Sequence, residues 1–85
     1  MTHRYRMWRM PRIQPTLHDA MRAILASQPA GIATLQLLAE KNRELDLYRQ
    51  DNGDGPHPVE DQFKLRAMKY PEMFDFVPPD RVQLL

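Results

Sequence analysis

The stretch Phe74–Leu84, which reads FDFVPPDRVQL, decides which fold this chain can adopt. Apolar and polar residues alternate over Phe74–Val77 and again over Arg81–Leu84, and both runs are rich in residues that favour strands. Pro78–Asp80 forms a tight connection between the two runs. The stretch therefore predicts a small β-hairpin. Because a two-stranded hairpin is not stable by itself in water, the rest of the chain must cover one of its faces.

Two helices are predicted between residues 16 and 45. Thr16, with Asp19 three residues later, has the pattern of an N-terminal capping box, and the proline and glycine of Ser27–Gly31 end this first helix. Thr34 is the cap of the second helix, which is expected to run to about Leu45. The residues expected on the buried faces of these helices are Leu17, Ala20, Met21, Ile24, Leu25, Leu35, Leu38, Ala39, Asn42 and Leu45.

A loop and a third helix precede the hairpin. Residues 49–58, RQDNGDGPHP, are dominated by residues that favour turns. The third helix is expected from about Val59 to Lys69, because Pro58 suits the entry to a helix and Pro71 cannot continue one. Its apolar face is expected to carry Val59, Phe63, Ala67 and Tyr70.

The order of these elements predicts a winged helix, a mainly α-helical fold in which three helices are closed by a small sheet. Ile32–Ala33 is a short extended pair that can add a third strand beside the hairpin. With 85 residues in all, we expect one small domain over residues 16–85, with a sheet of two or three strands. Residues 1–15 hold two prolines and show no helical or strand period, so they are expected to form a flexible N-terminal arm.

Two segments of this domain resemble the HARE-type helix-turn-helix domain. One is Leu47–Arg49, followed by the loop rich in glycine and proline. The other is Gln62–Phe74, which has the pattern Q-x-x-x-R-x-x-x-Y-P-x-x-F. Leu17–Ala20 and Ala33–Ala39 carry more general helix signals of the same domain. The resemblance extends over residues 16–85 and leaves the basic arm outside it.

Domains of that family are winged helices found in restriction enzymes, in chromatin-linked proteins and in an accessory subunit of RNA polymerase. The resemblance therefore implies binding to DNA or to the transcription machinery. It also implies that the domain itself performs no catalysis.

Charge is distributed unevenly along the chain, although its net value is only +1. Residues 1–15 hold four arginines and no acid, a charge of +4, whereas residues 16–85 hold the other 8 bases and all 11 acids, a charge of −3. Arginines interleaved with Tyr5 and Trp8 suit phosphate contact combined with base stacking. Together with the HARE-type resemblance, this favours a DNA-binding module, and the resemblance implies that the module is accessory to transcription or restriction machinery. The expected nucleic-acid contacts are Arg4, Arg6, Arg9, Arg12, Lys64 and Lys69.

The outer face of the third helix also suits a protein partner. Opposite its apolar face a helical wheel places Asp61, Lys64, Leu65 and Met68, with Lys69 at the edge, whereas helices that read DNA usually carry basic or hydrogen-bonding side chains at such positions. Leu37 lies off the apolar stripe of the second helix and is expected to face outward as well. The alternative function is a protein-interaction module that binds a second copy, RNA polymerase, or a restriction or toxin protein. The expected partner contacts are Leu37, Asp61, Leu65 and Met68.

The sequence offers no constellation typical of catalysis, so we expect a protein that is not an enzyme and needs no cofactor, metal or small-molecule substrate. It has no cysteine, its glycines form no phosphate-binding motif, and its histidines lack metal-ligand spacing. His57 lies near Asp51 and Asp54, but without the spacing of a calcium-binding loop. His18 is expected at the surface. Arg66 is expected to be half-buried, with its guanidinium on a carboxylate or a carbonyl.

Signals for a cellular compartment are few. The longest apolar runs span only a few residues, far short of the roughly 18–20 that cross a bilayer. The basic N-terminus is not followed by the apolar segment of a signal peptide. The lack of cysteine fits a reducing compartment. We therefore expect a soluble cytoplasmic protein without membrane contact.

Overall fold

The computed structural model describes residues 14–85, over which three helices and a three-stranded antiparallel sheet form a small α/β fold compatible with a winged-helix arrangement. In chain order the elements are α1 (Leu17–Ala26), β1 (Ile32–Thr34), α2 (Leu35–Leu45), α3 (Glu60–Lys69), β2 (Phe74–Val77) and β3 (Arg81–Leu84). Short 3-10 turns occupy Pro29–Gly31 and Asp51–Gly53. None of the helices described is long and apolar enough to cross a membrane.

The sheet confirms the predicted hairpin and the predicted third strand. Its strand order is β1-β3-β2, so the last strand of the chain lies in the middle. Val82 of β3 is opposite Ala33 on one side and Phe76 on the other, and its side chain is fully buried. The backbone N–H of Leu35 donates to the carbonyl of Asp80 over 2.8 Å. This bond fastens the first turn of α2 to the connection between β2 and β3.

Both predicted threonine caps are present. The Thr16 hydroxyl accepts a hydrogen bond from the backbone N–H of Asp19 over 3.1 Å. The Thr34 hydroxyl accepts one from the backbone N–H of Leu37 over 3.0 Å. Each bond satisfies an N–H group that has no acceptor within its helix. The caps thereby set the N-terminal bounds of α1 and α2 where the sequence predicted them.

The core is the meeting point of one face of each helix with one face of the sheet. Phe63 and Phe74 are the largest of its fully buried side chains, and Leu47 and Tyr48 pack against it from the segment after α2. The buried apolar residues are Leu17, Ala20, Met21, Ile24, Leu25, Ala33, Leu35, Leu38, Ala39, Phe63, Ala67, Phe74 and Val82.

Two residues that were expected on buried faces are exposed. Leu45 is 58% exposed, because α2 ends there and Asp46 takes a left-handed conformation (φ 50°) that turns the chain away. Leu47 then enters the core in its place. Val59 is 64% exposed, because it holds the N-cap position before α3 has begun, while the preceding Pro58 is buried.

Paired hydrogen bonds from side-chain amides hold the segment between α2 and α3. Asn42 is fully buried and bonds both the N–H and the carbonyl of Tyr48, each over 2.9 Å. Gln14 does the same to Arg49, donating to its carbonyl over 2.9 Å and accepting from its N–H over 3.0 Å. Gln14, which the sequence assigned to the arm, is thus bonded to the folded body. Residues 1–13 of that arm lie outside the described residues.

Candidate functional site

Helix α3 has one face in the core and the opposite face in solvent. Phe63 and Ala67 are buried against the other helices and β2. On the outward side Leu65 is 63% and Met68 57% exposed, and Asp61 is exposed beside them. Two large apolar side chains, three residues apart, therefore project from the same outer face of this helix.

The two lysines of α3 lie beside aromatic rings of the protein itself. Lys64 is half-buried, and its ammonium lies 5.4 Å from the centre of the Phe76 ring. Lys69 is exposed, with its ammonium 6.0 Å from the centre of the Tyr70 ring. Both distances fall within about the 6 Å over which a cation and an aromatic face attract each other. Lys64, which the helical wheel placed on the outer face, is thus half-covered beside Phe76, whereas Lys69 stays exposed.

The third base of α3, Arg66, turns toward α1. Its Nη1 atom lies 3.1 Å from Nδ1 of His18, and both side chains are half-buried. The His18 ring also stacks on Tyr70, with ring centres 4.2 Å apart. Because a guanidinium can only donate, a hydrogen bond between the two side chains makes Nδ1 of His18 the acceptor and leaves the ring proton on Nε2.

This contact corrects two sequence expectations. His18 is part of a contact between α1 and α3 rather than a plain surface residue. Arg66 is half-buried as expected, but its partner is an imidazole instead of a carboxylate or a carbonyl. No sequence pattern could reveal the pairing, because the two residues are 48 positions apart and only the packing of α1 on α3 brings them together.

The other expected contact residues do not join the outer face of α3. Leu37 is half-buried and packs against the core, so the expectation that it faces outward is wrong for much of its side chain. Arg4, Arg6, Arg9 and Arg12 lie outside the residues that the structure describes.

The loop before α3 is tied to the end of α2. Oδ1 of Asp46 lies 2.7 Å from Nε2 of His57 and accepts from Nε of Arg49 over 2.8 Å. His57 therefore contacts Asp46, not the neighbouring Asp51 or Asp54. Between residues 14 and 85 no group of three or more histidine, aspartate or glutamate side chains could hold a metal ion. These contacts hold the loop against the end of α2 and thereby position the start of α3.

A shallow groove between the C-terminal ends of α1 and α2 was not expected from the sequence. Ile24 and Leu47 contribute to its floor, and Leu45 and Lys41 to its rim. The groove exists because Leu45 remains outside the core. The only sequence signal for the groove is Asp46 itself. An aspartate tolerates the left-handed conformation found there better than most residues do.

Comparisons with known proteins give no relative from which a function could be transferred. No protein-family model, no curated protein and no solved structure matches the chain. The likeness to the HARE-type domain therefore stays a prediction from its motifs. Function has to be inferred from the surface that α3 presents.

Proposed function

We propose that this protein is a non-catalytic winged-helix module that binds another protein through the outer face of α3. The observation that carries the proposal is the division of side chains on that helix. Lys64 and Arg66 are half-buried beside Phe76 and His18 of the same chain, whereas Leu65 and Met68 project into solvent.

The winged-helix assignment is supported by the order and pairing of the elements. A helix, a short strand, two further helices and a hairpin follow one another, and β1 completes the sheet beside β3. In such an arrangement the third helix is the element that commonly meets a ligand, with the hairpin beside it. The ligand is then decided by the residues that this helix exposes.

The residues that α3 exposes favour a protein ligand over DNA. Glu60 and Asp61 lie exposed in the first turn of α3, where two carboxylates would repel phosphates and the acceptor-rich edges of bases. Leu65 and Met68 offer little to a polar groove, but covering each on a protein surface stabilises a complex by up to about 1.5–3 kcal/mol. Methionine in particular adapts its shape to irregular protein surfaces.

The test compares two variants in the full chain. L65S/M68S removes the outer apolar face of α3, and L45S removes a leucine of similar exposure from the end of α2. Affinity-tagged chains would be cross-linked in their host cells, and the attached proteins quantified by mass spectrometry. We expect at least a tenfold loss of partner recovery with L65S/M68S and no loss with L45S. Equal recovery with all three chains would contradict the proposal.

DNA binding is the second candidate, and the charge of the arm favours it. Residues 1–15 carry +4, with Tyr5 and Trp8 interleaved among four arginines. With Lys64 and Lys69 of α3 added, a duplex would meet about four to six cations, which predicts a log–log salt slope near −4 to −5. In this form the protein would be an accessory module of transcription or restriction machinery.

Fluorescence anisotropy of a labelled mixed-sequence duplex at about 50 and about 200 mM salt separates the two candidates. For DNA binding we expect affinity to fall steeply with salt, and to fall again when the four arm arginines are changed to glutamine. Absence of binding at the lower salt concentration would contradict DNA binding. The same result would leave the docking surface on α3 as the remaining function.

A further inference from the structure

We propose that the partner of α3 is a second copy of this chain, and that the two α3 helices pack antiparallel about a two-fold axis at Leu65. This inference rests on the proposed function, because it uses the same outer face. The observation behind it is the order of side chains along that face. When a second copy of this face is reversed and placed against the first, acidic and basic residues lie opposite each other.

The matching residues form one ridge of the helix. Asp61, Leu65 and Lys69 follow one another at intervals of four, so they lie side by side along the surface of α3, and all three are exposed. Asp61 and Lys69 stand at equal distances from Leu65. A reversed second copy centred on Leu65 therefore places its Lys69 opposite Asp61 and its Asp61 opposite Lys69.

Such an arrangement satisfies the rule for a two-fold interface, in which the same patch of both subunits is self-complementary. The two leucines meet at the axis, and an acidic-basic pair flanks them at each end. Met68 lies three residues after Leu65, and the exposed Gln62 lies three before it, so the same register sets Met68 against the Gln62 of the other copy. A parallel arrangement would instead put like charges together.

Two basic residues would face each other across this interface, but their side chains point away from it. In the antiparallel register Lys64 falls opposite Arg66 of the other copy, one residue on each side of Leu65. Both side chains are half-buried and point to the edges of α3, toward Phe76 and His18 respectively. The contact surface is thereby left to the ridge and to Met68.

The size of the face sets the strength of the association. Helix α3 has 10 residues and is about 15 Å long. One face of so short a helix is much smaller than the roughly 800 Å² per partner of a standard stable interface. We therefore expect a weak, reversible dimer with a Kd of about 10 μM to 1 mM.

Charge reversal gives a test that is specific to this register. Sedimentation equilibrium of the full chain would compare wild type, D61K, K69D, an equimolar mixture of D61K with K69D, and the double variant D61K/K69D. Each single variant places like charges together at both ends of the interface, and we expect its Kd to rise about tenfold or more. The mixture and the double variant restore opposite charges at both ends, so we expect them to return to within about threefold of wild type.

E72K is the matched control, because Glu72 is exposed outside α3 and its replacement changes the net charge as D61K does. We expect E72K to associate like wild type, and circular dichroism to show that every variant keeps its helices. A wild-type chain that stays monomeric at about 1 mM would overturn the proposal. Single variants that dimerise normally, or that are not rescued by mixing, would overturn it as well.

Sedimentation of these samples and of L65S/M68S, read beside the capture experiment, separates this inference from the proposed function. If wild type stays monomeric while a different protein is captured in a manner sensitive to L65S/M68S, the second copy is wrong and docking through α3 stands. If a dimer forms that neither L65S/M68S nor the charge reversals affect, the second copy on α3 is wrong, and the proposed function fails only if L65S/M68S also leaves partner capture unchanged.

Discussion

The buried side chain of Asn42 bonds both backbone polar groups of Tyr48. Its Nδ2 donates to the Tyr48 carbonyl over 2.9 Å, and its Oδ1 accepts from the Tyr48 N–H over 2.9 Å. The pair replaces the contacts that a neighbouring strand would make with an extended residue. It fixes the chain three residues after the end of α2, where Tyr48 packs against the core and the loop that leads to α3 begins.

Replacing Asn42 by alanine should therefore destabilise the fold strongly. N42A leaves the part-buried N–H and carbonyl of Tyr48 without their partners, and we expect a loss of about 2–4 kcal/mol in the free energy of unfolding measured with urea. Gln36 gives the control, because it is an exposed amide on the same helix, bonded to Glu40. Q36A should change stability by less than about 0.5 kcal/mol. Equal effects of the two substitutions would contradict the role given to Asn42.

Gln14 should protect the backbone amide of Arg49 from exchange with solvent. The N–H of Arg49 donates to Oε1 of Gln14, a residue that lies 35 positions earlier in the chain. We expect Q14A to speed hydrogen exchange at Arg49 by about tenfold, the factor that corresponds to 1.4 kcal/mol, while exchange in α1 stays unchanged. Unchanged protection at Arg49 in Q14A would show that the bond does not persist in solution.

Phe63 joins α3 to the rest of the protein, and its removal should unfold much of the domain. Its side chain is fully buried in the core. Phe→Ala changes at such sites cost about 3–5 kcal/mol, a large part of the total stability of a small domain. Thermal melts followed by circular dichroism should show that F63A is already unfolded at 37 °C and has no cooperative transition. L45A, which shortens the exposed Leu45, should melt like wild type, and similar melts for both variants would contradict this assignment of the core.

His18 should be found as the tautomer with its proton on Nε2. Nδ1 lies 3.1 Å from Nη1 of Arg66, which can only donate. Long-range ¹H–¹⁵N spectra distinguish the two ring nitrogens directly, and R66M, which keeps most of the side-chain stem, should release the preference. A protonated Nδ1 in the wild-type chain at neutral pH would contradict the contact between α1 and α3.

Much of the fold could be predicted because its signals are local. Thr16 and Thr34 cap the helices whose starts they predicted, and the alternation over Phe74–Val77 and Arg81–Leu84 predicted the hairpin. Leu45 was misplaced because it is the last residue of α2, and the left-handed turn at Asp46 follows it directly. A wheel describes a face correctly in the middle of a helix and poorly at its ends.

The candidate site could be predicted only in part, because some of its side chains are positioned by neighbours from other elements. Leu65 and Met68 face outward as the wheel indicated, since both lie within α3, opposite the buried Phe63 and Ala67. The positions of the basic side chains depend on neighbours from other elements: Phe76 for Lys64 and His18 for Arg66. Those neighbours are brought near by tertiary packing, which no spacing along the chain records.

The most direct test of a protein-docking surface on α3 is a dilution series of ¹H–¹⁵N spectra of the full chain, from about 1 mM to about 20 μM. Our account predicts concentration-dependent amide shifts that are concentrated at Asp61, Leu65, Met68 and Lys69 and that vanish in L65S/M68S but persist in L45S. Spectra that do not change on dilution, together with shifts over the same residues when a DNA duplex is added, would contradict it.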